Sequence, residues 1–431
     1  MSKTPFKLLK DFLKSSFDLD LSKLHYSKPK PPAEDYVIID CVDFRNDLKD
    51  AAIDYSTDYD DRFFRCHGQA PRDFYILKFG KFNRIPDIVV WPTSHEDVVL
   101  IVDLANKYNI VLIPIGGGTN VTSGISCPEY ENRTIVCLDT TQMNRLLWVD
   151  KQSMLACFES GIAGGDLERV LAKQGLTLGH EPDSIEFSTL GGWVATRSSG
   201  MKQQTYGNIE DMVVRMKLVT SIGTMEKNTL APRVSIGPDF NHLVLGSEGT
   251  LGVITDIVVK VCPLPQVRKL GSIMLPNFNA GIQTLYHVSK CKQKPSSLRL
   301  MDNHHFQMGQ GLKQNETIFG ELVDQVKKLG LNLIYGYDIE EVALITYLIE
   351  GTKTDANEIE NSLNEVAKRY GGISAGEKYG KRAYLMTFTI GYMRVISSSI
   401  QILILLHINF FNIFFINSRT CFSKSATYQT L

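Results

Sequence analysis

The sequence predicts an α+β fold divided into more than one domain, and three observations carry that reading. A strand, helix, strand unit of about thirty residues runs from Pro86 and stops at the triplet Gly116, Gly117, Gly118. A strand-rich block with a single helix follows from Thr134 to Pro265. The chain has 431 residues, for which the length prior is about three domains. Composition narrows the function. Lys and Arg number 46 against 47 Asp and Glu, so no global field draws the molecule to nucleic acid or to an anionic membrane, and a small, locally cradled anion fits better. The eight cysteines show no CxxC pair or regular spacing, which argues against a zinc knuckle or a disulfide framework and reads as reduced intracellular thiols. The adjacent His304 and His305 point apart on a strand and diverge on a helix, so no metal site is expected.

Taken in order, MSKTPFKLLKDFLKSSFDL at 1–19 has apolar residues near helical spacing with lysines between. It reads as a packed surface helix, an amphipathic membrane anchor being the alternative, and no signal-peptide core is present. KPKPPAED at 28–35 is a proline-rich linker. DIVVW is a short strand. Thr93 and Glu96 stand at capping-box spacing before a helix whose Val98, Val99, Val102, Ala105 and Tyr108 form the apolar face. Ile110, Val111, Leu112, Ile113 and Ile115 read as a buried strand. The strands IVCLD and MLACFES come next. Gly164 and Gly165 open a helix with Leu167, Val170 and Leu171 inward, and Gly175 ends it. MVVRMKLVT and VITDIVVKVCP are the next strands, the latter closed by Pro263 and Pro265. The expected divisions are 1–81, a helical lead and linker; 82–264; 265–394; and an apolar tail at 395–431.

The glycine triplet lets several amides point at one anion, as a backbone nest. A plain tight turn is the competing reading. Neither phosphate signature fits, since Val121 breaks GxGxxG and the Walker Lys and Ser/Thr are missing. Two further stretches concentrate small residues, DSIEFSTLGGWVATRSSG at 183–200 and GSEGTLGVIT at 246–255. Their glycines permit close approach to a ring or pyrophosphate, and the hydroxyls of Ser188, Thr189, Thr196, Ser198, Ser199 and Thr250 can donate to it. Asp139, about twenty residues after the glycines, sits where a Rossmann protein keeps its ribose-binding acid; without that motif it reads as a polar residue ending a strand.

The strings RIPDIVVWPTSHEDV, PIGGGTNV, LDTTQMNRLLWVD, GHEPDSIEFSTLGGWVATRSSGMKQQTYGNIEDMVV, GSEGTLGVIT and SLRLMDN resemble the alkyldihydroxyacetonephosphate synthases, also called alkylglycerone-phosphate synthases, from Arg62 to Arg394. More broadly they are similar to the FAD-binding PCMH-type, vanillyl-alcohol oxidase-like flavoproteins. The resemblance implies a two-subdomain FAD-binding fold followed by an incomplete substrate domain. It places the FAD pyrophosphate over Pro114, Ile115, Gly116, Gly117, Gly118, Thr119 and Asn120. The flavin and its linker are then lined by Asp183, Ser184, Ile185, Glu186, Phe187, Ser188 and Thr189, by Thr196, Arg197, Ser198 and Ser199, and by Glu248, Gly249, Thr250, Leu251, Gly252, Val253 and Ile254. Thr119 stands in a loop without histidine, so the FAD is expected to be non-covalent. The implied reaction exchanges the acyl group of acyl-dihydroxyacetone phosphate for a fatty alcohol, with Arg299 matching an arginine important to the activity. A structural salt bridge is the other reading of Arg299. A FAD-dependent 2-hydroxy-acid oxidoreductase and a non-catalytic FAD-binding protein are the alternative functions. Membrane-surface association, a homo-oligomer and a peroxisomal location are further expectations from the family, although the chain ends TYQTL without a recognisable targeting tripeptide.

After Arg394 the resemblance stops. Residues 396–416 are long enough to span a bilayer, yet Gln401, His407, Asn409 and Asn412 interrupt them. Their Ile, Phe and Asn content also matches translated noncoding sequence, which is the preferred reading. The family's active-site tyrosine, histidine-rich loop and a substrate-binding arginine have no counterpart, so the chain as written is expected to bind FAD weakly and to be inactive.

Overall fold

The computed structural model describes residues 28–311 and 336–387. The N-terminal apolar lead and the apolar tail expected at 395–431 lie outside the described residues. Within them the chain forms two compact units, residues 28–199 with 208–262, and residues 200–207 with 263–311 and 336–387.

The first unit is built on the expected strand, helix, strand element: Ile88–Trp91, His95–Lys107 and Val111–Ile115. The helix cap falls one residue later than expected. Ser94 is the N-cap, and Asp97, in place of Glu96, closes the box by accepting from the Ser94 amide and from both the amide and hydroxyl of Thr93. Burial opposes charge on Asp97, but these hydrogen bonds outweigh it and hold the carboxyl below its ordinary range. Strand Ile135–Asp139 lies between the other two, parallel to both, and Asp54–Ser56 adds an antiparallel edge beside Ile88–Trp91. Val111–Ile115 is therefore an edge strand, mostly half-buried, where the apolar run suggests a fully buried one.

A second, antiparallel sheet has the order Leu146–Asp150, Leu155–Glu159, Val253–Lys260, Val213–Thr220, Gly223–Glu226. Helix His95–Lys107 packs with residues of both sheets. Val98, Ile101 and Val102 share one core with Ile88, Val90, Val136, Leu138, Val219 and Val253. The described part of the expected lead, residues 28–81, belongs to the first unit. Asp54–Ser56 joins the parallel strands, and Tyr36, Phe63, Cys66, Phe82 and Ile85 form a small core of their own. The proline-rich linker is likewise tied down, by Lys28 N donating to Lys78 O at 2.7 Å and Tyr59 Oη to Pro31 O at 2.5 Å.

The second unit is a four-stranded antiparallel sheet in the order Ser297–Met301, Ala343–Gly351, Val267–Leu275, Ile373–Ser374. Its longest pairing runs in unbroken register from Val267 opposite Gly351 to Leu275 opposite Ala343. Helices Phe278–Ser289 and Lys353–Lys368 cover one face through Ile273, Leu275, Ile345, Tyr347, Ile349, Ile359 and Leu363. The opposite face carries Leu270 and Leu348, packed with Met201 and Tyr384.

The Asp97 cap supplies an acid-sensitive increment of stability. Its folded pKa is depressed, so the stabilisation is present above the unfolded value of about 3.9 and is lost as pH falls through the folded one. Asp97→Ala should cost about 1 kcal/mol at neutral pH in denaturant titration. The gap from the unsubstituted protein should narrow below about pH 4; a gap independent of pH would show that the carboxylate does not carry the cap.

Candidate functional site

The three small-residue stretches, far apart in sequence, meet at the end of strand Val111–Ile115. A Cβ on Gly117 would overlap the carbonyl of Phe187, and one on Gly116 would overlap the Thr189 side chain, so the first stretch lies directly on the second. A Cβ on Gly249 would touch Pro114 Cγ at 3.2 Å, and Thr122 Oγ1 donates to Glu248 Oε2 at 2.8 Å, which brings in the third. The third is also tied to the second, since Gly246 N donates to Val194 O at 3.1 Å and Glu248 N to Ala195 O at 2.8 Å.

Among the described residues, no protein acceptor takes the amides of Gly116, Gly117, Gly118, Thr119 or Asn120. An amide buried without a partner costs about 1–3 kcal/mol. Gly116, Gly117, Thr119 and Asn120 are half-buried and Gly118 is buried, and such a row persists where water or a ligand anion supplies the acceptors. Asn120 itself braces the loop. Its Oδ1 accepts from the amides of Thr122 and Gly124 at 3.2 and 3.0 Å, and its carbonyl accepts from Gln69 N at 2.6 Å.

Three of the six hydroxyls make hydrogen bonds to the backbone. Ser188 Oγ donates to Ser184 O at 2.9 Å, Thr196 Oγ1 to Gly192 O at 2.8 Å, and Thr250 Oγ1 to Ser247 O at 2.7 Å. A hydroxyl has one proton to give, and these three are spent on the backbone. Thr189 caps helix Leu190–Ala195 by accepting from Gly192 N. The helix carries the buried Trp193, whose Nε1 donates to Ser188 Oγ at 2.7 Å.

His180, which the sequence reading passed over, is buried behind this stretch. Its ring lies 4.9 Å from that of Trp193 and its Nε2 is 2.9 Å from Ser198 Oγ, so it joins the two ends of the segment. A lone histidine gives no signal of its own in the sequence; the cue was its position three residues before Asp183. Arg197 has a left-handed φ of 47° and faces Glu210 at 3.5 Å. Val253 sits in the core under helix His95–Lys107 and Ile254 is buried in the same strand, while Leu251 is exposed.

Asp139 has the structural role read from the sequence. It is buried at the strand end opposite Ile115, and its carboxylate accepts from Arg65 Nε at 2.6 Å, Trp91 Nε1 at 3.2 Å and Thr141 N at 2.9 Å. Burial pushes the Cys137 thiol well above its ordinary range and the Cys127 thiol up to about 12, so both stay protonated and unreactive at neutral pH. Among the described residues no group of three or more potential ligands could hold a metal ion, and His305 pairs with Asp302 at 2.7 Å.

Arg299 belongs to the second unit, half-buried in strand Ser297–Met301 opposite Thr346. Its neighbours Leu298 and Leu300 pack with the helical layer. Alternation along a strand then puts Arg299 on the other face, with Thr346 and Ser272 beside it in register.

Two family descriptions match the chain, a FAD binding domain over residues 86–228 and the C-terminal domain of FAD linked oxidases over residues 264–393. Alkyldihydroxyacetonephosphate synthase of Caenorhabditis elegans is 41% identical over 356 residues, covering 82% of this chain and 59% of the relative. The Dictyostelium discoideum protein of that name is 35% identical over 376 residues, covering 87% of this chain and 60% of the relative. The chain thus spans about three fifths of the length of these curated relatives. A solved structure of an alkyldihydroxyacetonephosphate synthase superposes with a TM-score of 0.79 at 33% identity, covering 92% of this chain and 71% of that one.

The contact between Gly117 and Phe187 gives a direct test of the assembled site. Gly117→Val should push the two stretches apart and leave the protein unable to retain FAD through gel filtration, whereas Val121→Ala, at an exposed neighbouring position, should retain it. Flavin absorbance after acid release measures both. Normal retention by Gly117→Val would reduce the loop to an ordinary turn.

Proposed function

The chain belongs to the alkyldihydroxyacetonephosphate synthase family, and from that footing we propose that it binds FAD non-covalently and serves the exchange of the acyl group of acyl-dihydroxyacetone phosphate for a fatty alcohol. The product is the ether bond of an ether lipid. The observation that carries the cofactor half of this reading is the convergence of three small-residue stretches on a row of five amides without protein acceptors. A pyrophosphate supplies the acceptors such a row needs. The loop has Thr119 and no histidine through which FAD could be tethered.

When bound, FAD supplies the electron-accepting ring at which the ketone substrate reacts. The rest is positioning by the chain. The amides of Gly116–Asn120 hold the pyrophosphate, and the stretch Asp183–Thr189 and the stretch Thr196–Ser199 line the linker and ring. Arg299 holds the substrate phosphate through paired hydrogen bonds, from the sheet face opposite helices Phe278–Ser289 and Lys353–Lys368.

The assay that decides the function mixes the purified protein with acyl-dihydroxyacetone phosphate and a labelled fatty alcohol. Labelled ether product with release of fatty acid is the expected result for a full-length member of the family, and ether formed by this chain alone would overturn the expectation that it is inactive as written. Reduction of an electron acceptor by a 2-hydroxy acid, with no ether formed, would overturn the synthase reading in favour of an oxidoreductase on the same fold.

Arg299 has its own test. Lysine keeps the charge but not the planar fork, so in a full-length member of the family the lysine change at the arginine matching Arg299 should lower kcat/KM for acyl-dihydroxyacetone phosphate about 10- to 100-fold, through the loss of one or two charge-assisted hydrogen bonds. FAD content and thermal midpoint should stay unchanged. A drop in the thermal midpoint together with activity would assign the guanidinium to a structural ion pair instead.

A further inference from the structure

Within the first unit, the turn between helices Tyr59–Phe64 and Pro71–Phe79 lies against the Asn120 end of the amide row. Gln69 N donates to Asn120 O at 2.6 Å, and a Cβ on Gly68 would come within 2.1 Å of the same carbonyl, so the two backbones touch. Asp73 fixes the turn from behind. It is 2% exposed, and its Oδ2 accepts from the amides of Gly68 and Ala70, both at 3.1 Å. His67 stacks on Phe82 with ring centroids 5.5 Å apart, and its Nδ1 lies 2.8 Å from Gly68 O. These contacts on both sides of Gly68 keep Gln69 beside Asn120.

Gln69 is 5% exposed, and its Oε1 is buried without a hydrogen-bond partner among the described residues. A buried carbonyl oxygen in that state has lost its water and gained nothing, which opposes folding. A leucine or methionine of similar size would fill the same space without that loss. The neighbouring loop narrows what supplies the missing donor. The amides of Gly116–Asn120 are read as holding a pyrophosphate, and a pyrophosphate at neutral pH offers only acceptors, whereas Oε1 needs a donor. In FAD the donors nearest the pyrophosphate are sugar hydroxyls, those of the adenosine ribose on one side and those of the ribityl chain on the other.

We propose that Gln69 is a cofactor-binding residue, its Oε1 accepting a hydrogen bond from a sugar hydroxyl of bound FAD. The contact rests on the reading of Gly116–Asn120 as the pyrophosphate loop. It adds a fourth stretch, Gly68–Gln69, to the three that meet there. Glycine at 68 is what lets this stretch come close, since any side chain would displace Asn120 and with it the last amide of the row.

The test compares the unsubstituted full chain with Gln69→Leu and Gln69→Met. FAD is titrated by flavin fluorescence, ADP is titrated as a competitor of FAD, and each apoprotein is melted. Both variants should raise the FAD dissociation constant about tenfold, through the lost hydrogen bond and the hydroxyl left unpaired. Their apoproteins should melt at or above the unsubstituted midpoint, because the substitutions remove an acceptor that the apoprotein leaves without a partner. A glutamine that served only the packing of the turn would not give that combination. An ADP constant raised by the same factor places the hydroxyl on the ribose, and an unchanged ADP constant beside weakened FAD places it on the ribityl chain. FAD constants within about twofold of the unsubstituted protein would overturn the contact and leave Oε1 to an internal water. A lowered apoprotein midpoint in both variants, or failure of both to fold, would assign Gln69 to the packing of the turn and overturn the contact as well. An unsubstituted protein that takes up no FAD overturns the cofactor reading itself, and the contact with it.

Discussion

The constraint on which the cofactor half depends is a backbone-to-backbone contact that leaves no space for a Cβ. Gly117 lies against the carbonyl of Phe187 and Gly116 against Thr189, so the loop after strand Val111–Ile115 and the turn before helix Leu190–Ala195 are in direct contact. Both ends of that contact are fixed from behind. The loop is fixed by the parallel pairing of Val111–Ile115 with Ile135–Asp139 and by Thr140 Oγ1 donating to Ile115 O at 3.1 Å. The turn is fixed by Trp193, buried and hydrogen-bonded through Ser188 to Ser184. A side chain at either glycine would have to move a sheet or a buried tryptophan, and close-packed interiors resist such displacement.

Helix His95–Lys107 gives that contact a rigid foundation. It buries Val98, Ile101, Val102, Leu104 and Ala105, a wider apolar surface than one sheet could cover, and shares a core with strands from both sheets of the first unit. Each fully buried aliphatic side chain contributes about 1.5–3 kcal/mol relative to exposure, so the five together outweigh any single cap or ion pair in the unit. Polar pairs set detail within that frame. Asp139 is an example, its carboxylate divided among Arg65, Trp91 and Thr141 at the end of the central parallel strand.

Much of this was legible because it is written in local patterns. The strands Ile88–Trp91, Ile135–Asp139, Leu155–Glu159, Val213–Thr220 and Val253–Lys260 and the helix Gly164–Ala172 stand where apolar runs and glycine punctuation put them. The helix cap differs by one residue because Thr93 and Ser94 both suit the position, and Asp97 settles the choice by bonding both of them. Strand Val111–Ile115 reads as fully buried because an apolar run does not reveal whether a sheet continues beyond it. The linker at 28–35 is legible from its prolines alone, and its attachment to the body depends on Lys78 and Tyr59, about thirty to fifty residues away. Meeting of the three glycine-rich stretches was expected from the family resemblance and not from any local rule, since contacts of Gly117 with Phe187 or Pro114 with Gly249 span 70 residues or more.

Three of the hydroxyls near the glycine loop have local structural partners. Serines and threonines concentrated near a glycine loop suggest donors for a phosphate, yet Ser188, Thr196 and Thr250 give their single protons to backbone carbonyls within five residues of themselves. In doing so they hold tight turns in shape, while the amides without a protein acceptor lie in a different segment, Gly116–Asn120. An amide donor is fixed by the backbone and costs no side-chain entropy to aim, whereas a hydroxyl must surrender rotamer freedom to do the same work. The sensitive positions of such a site are therefore its glycines, where any added atom displaces the backbone that carries the donors. The small hydroxyl residues around them tolerate exchange so long as the turn they support keeps its geometry.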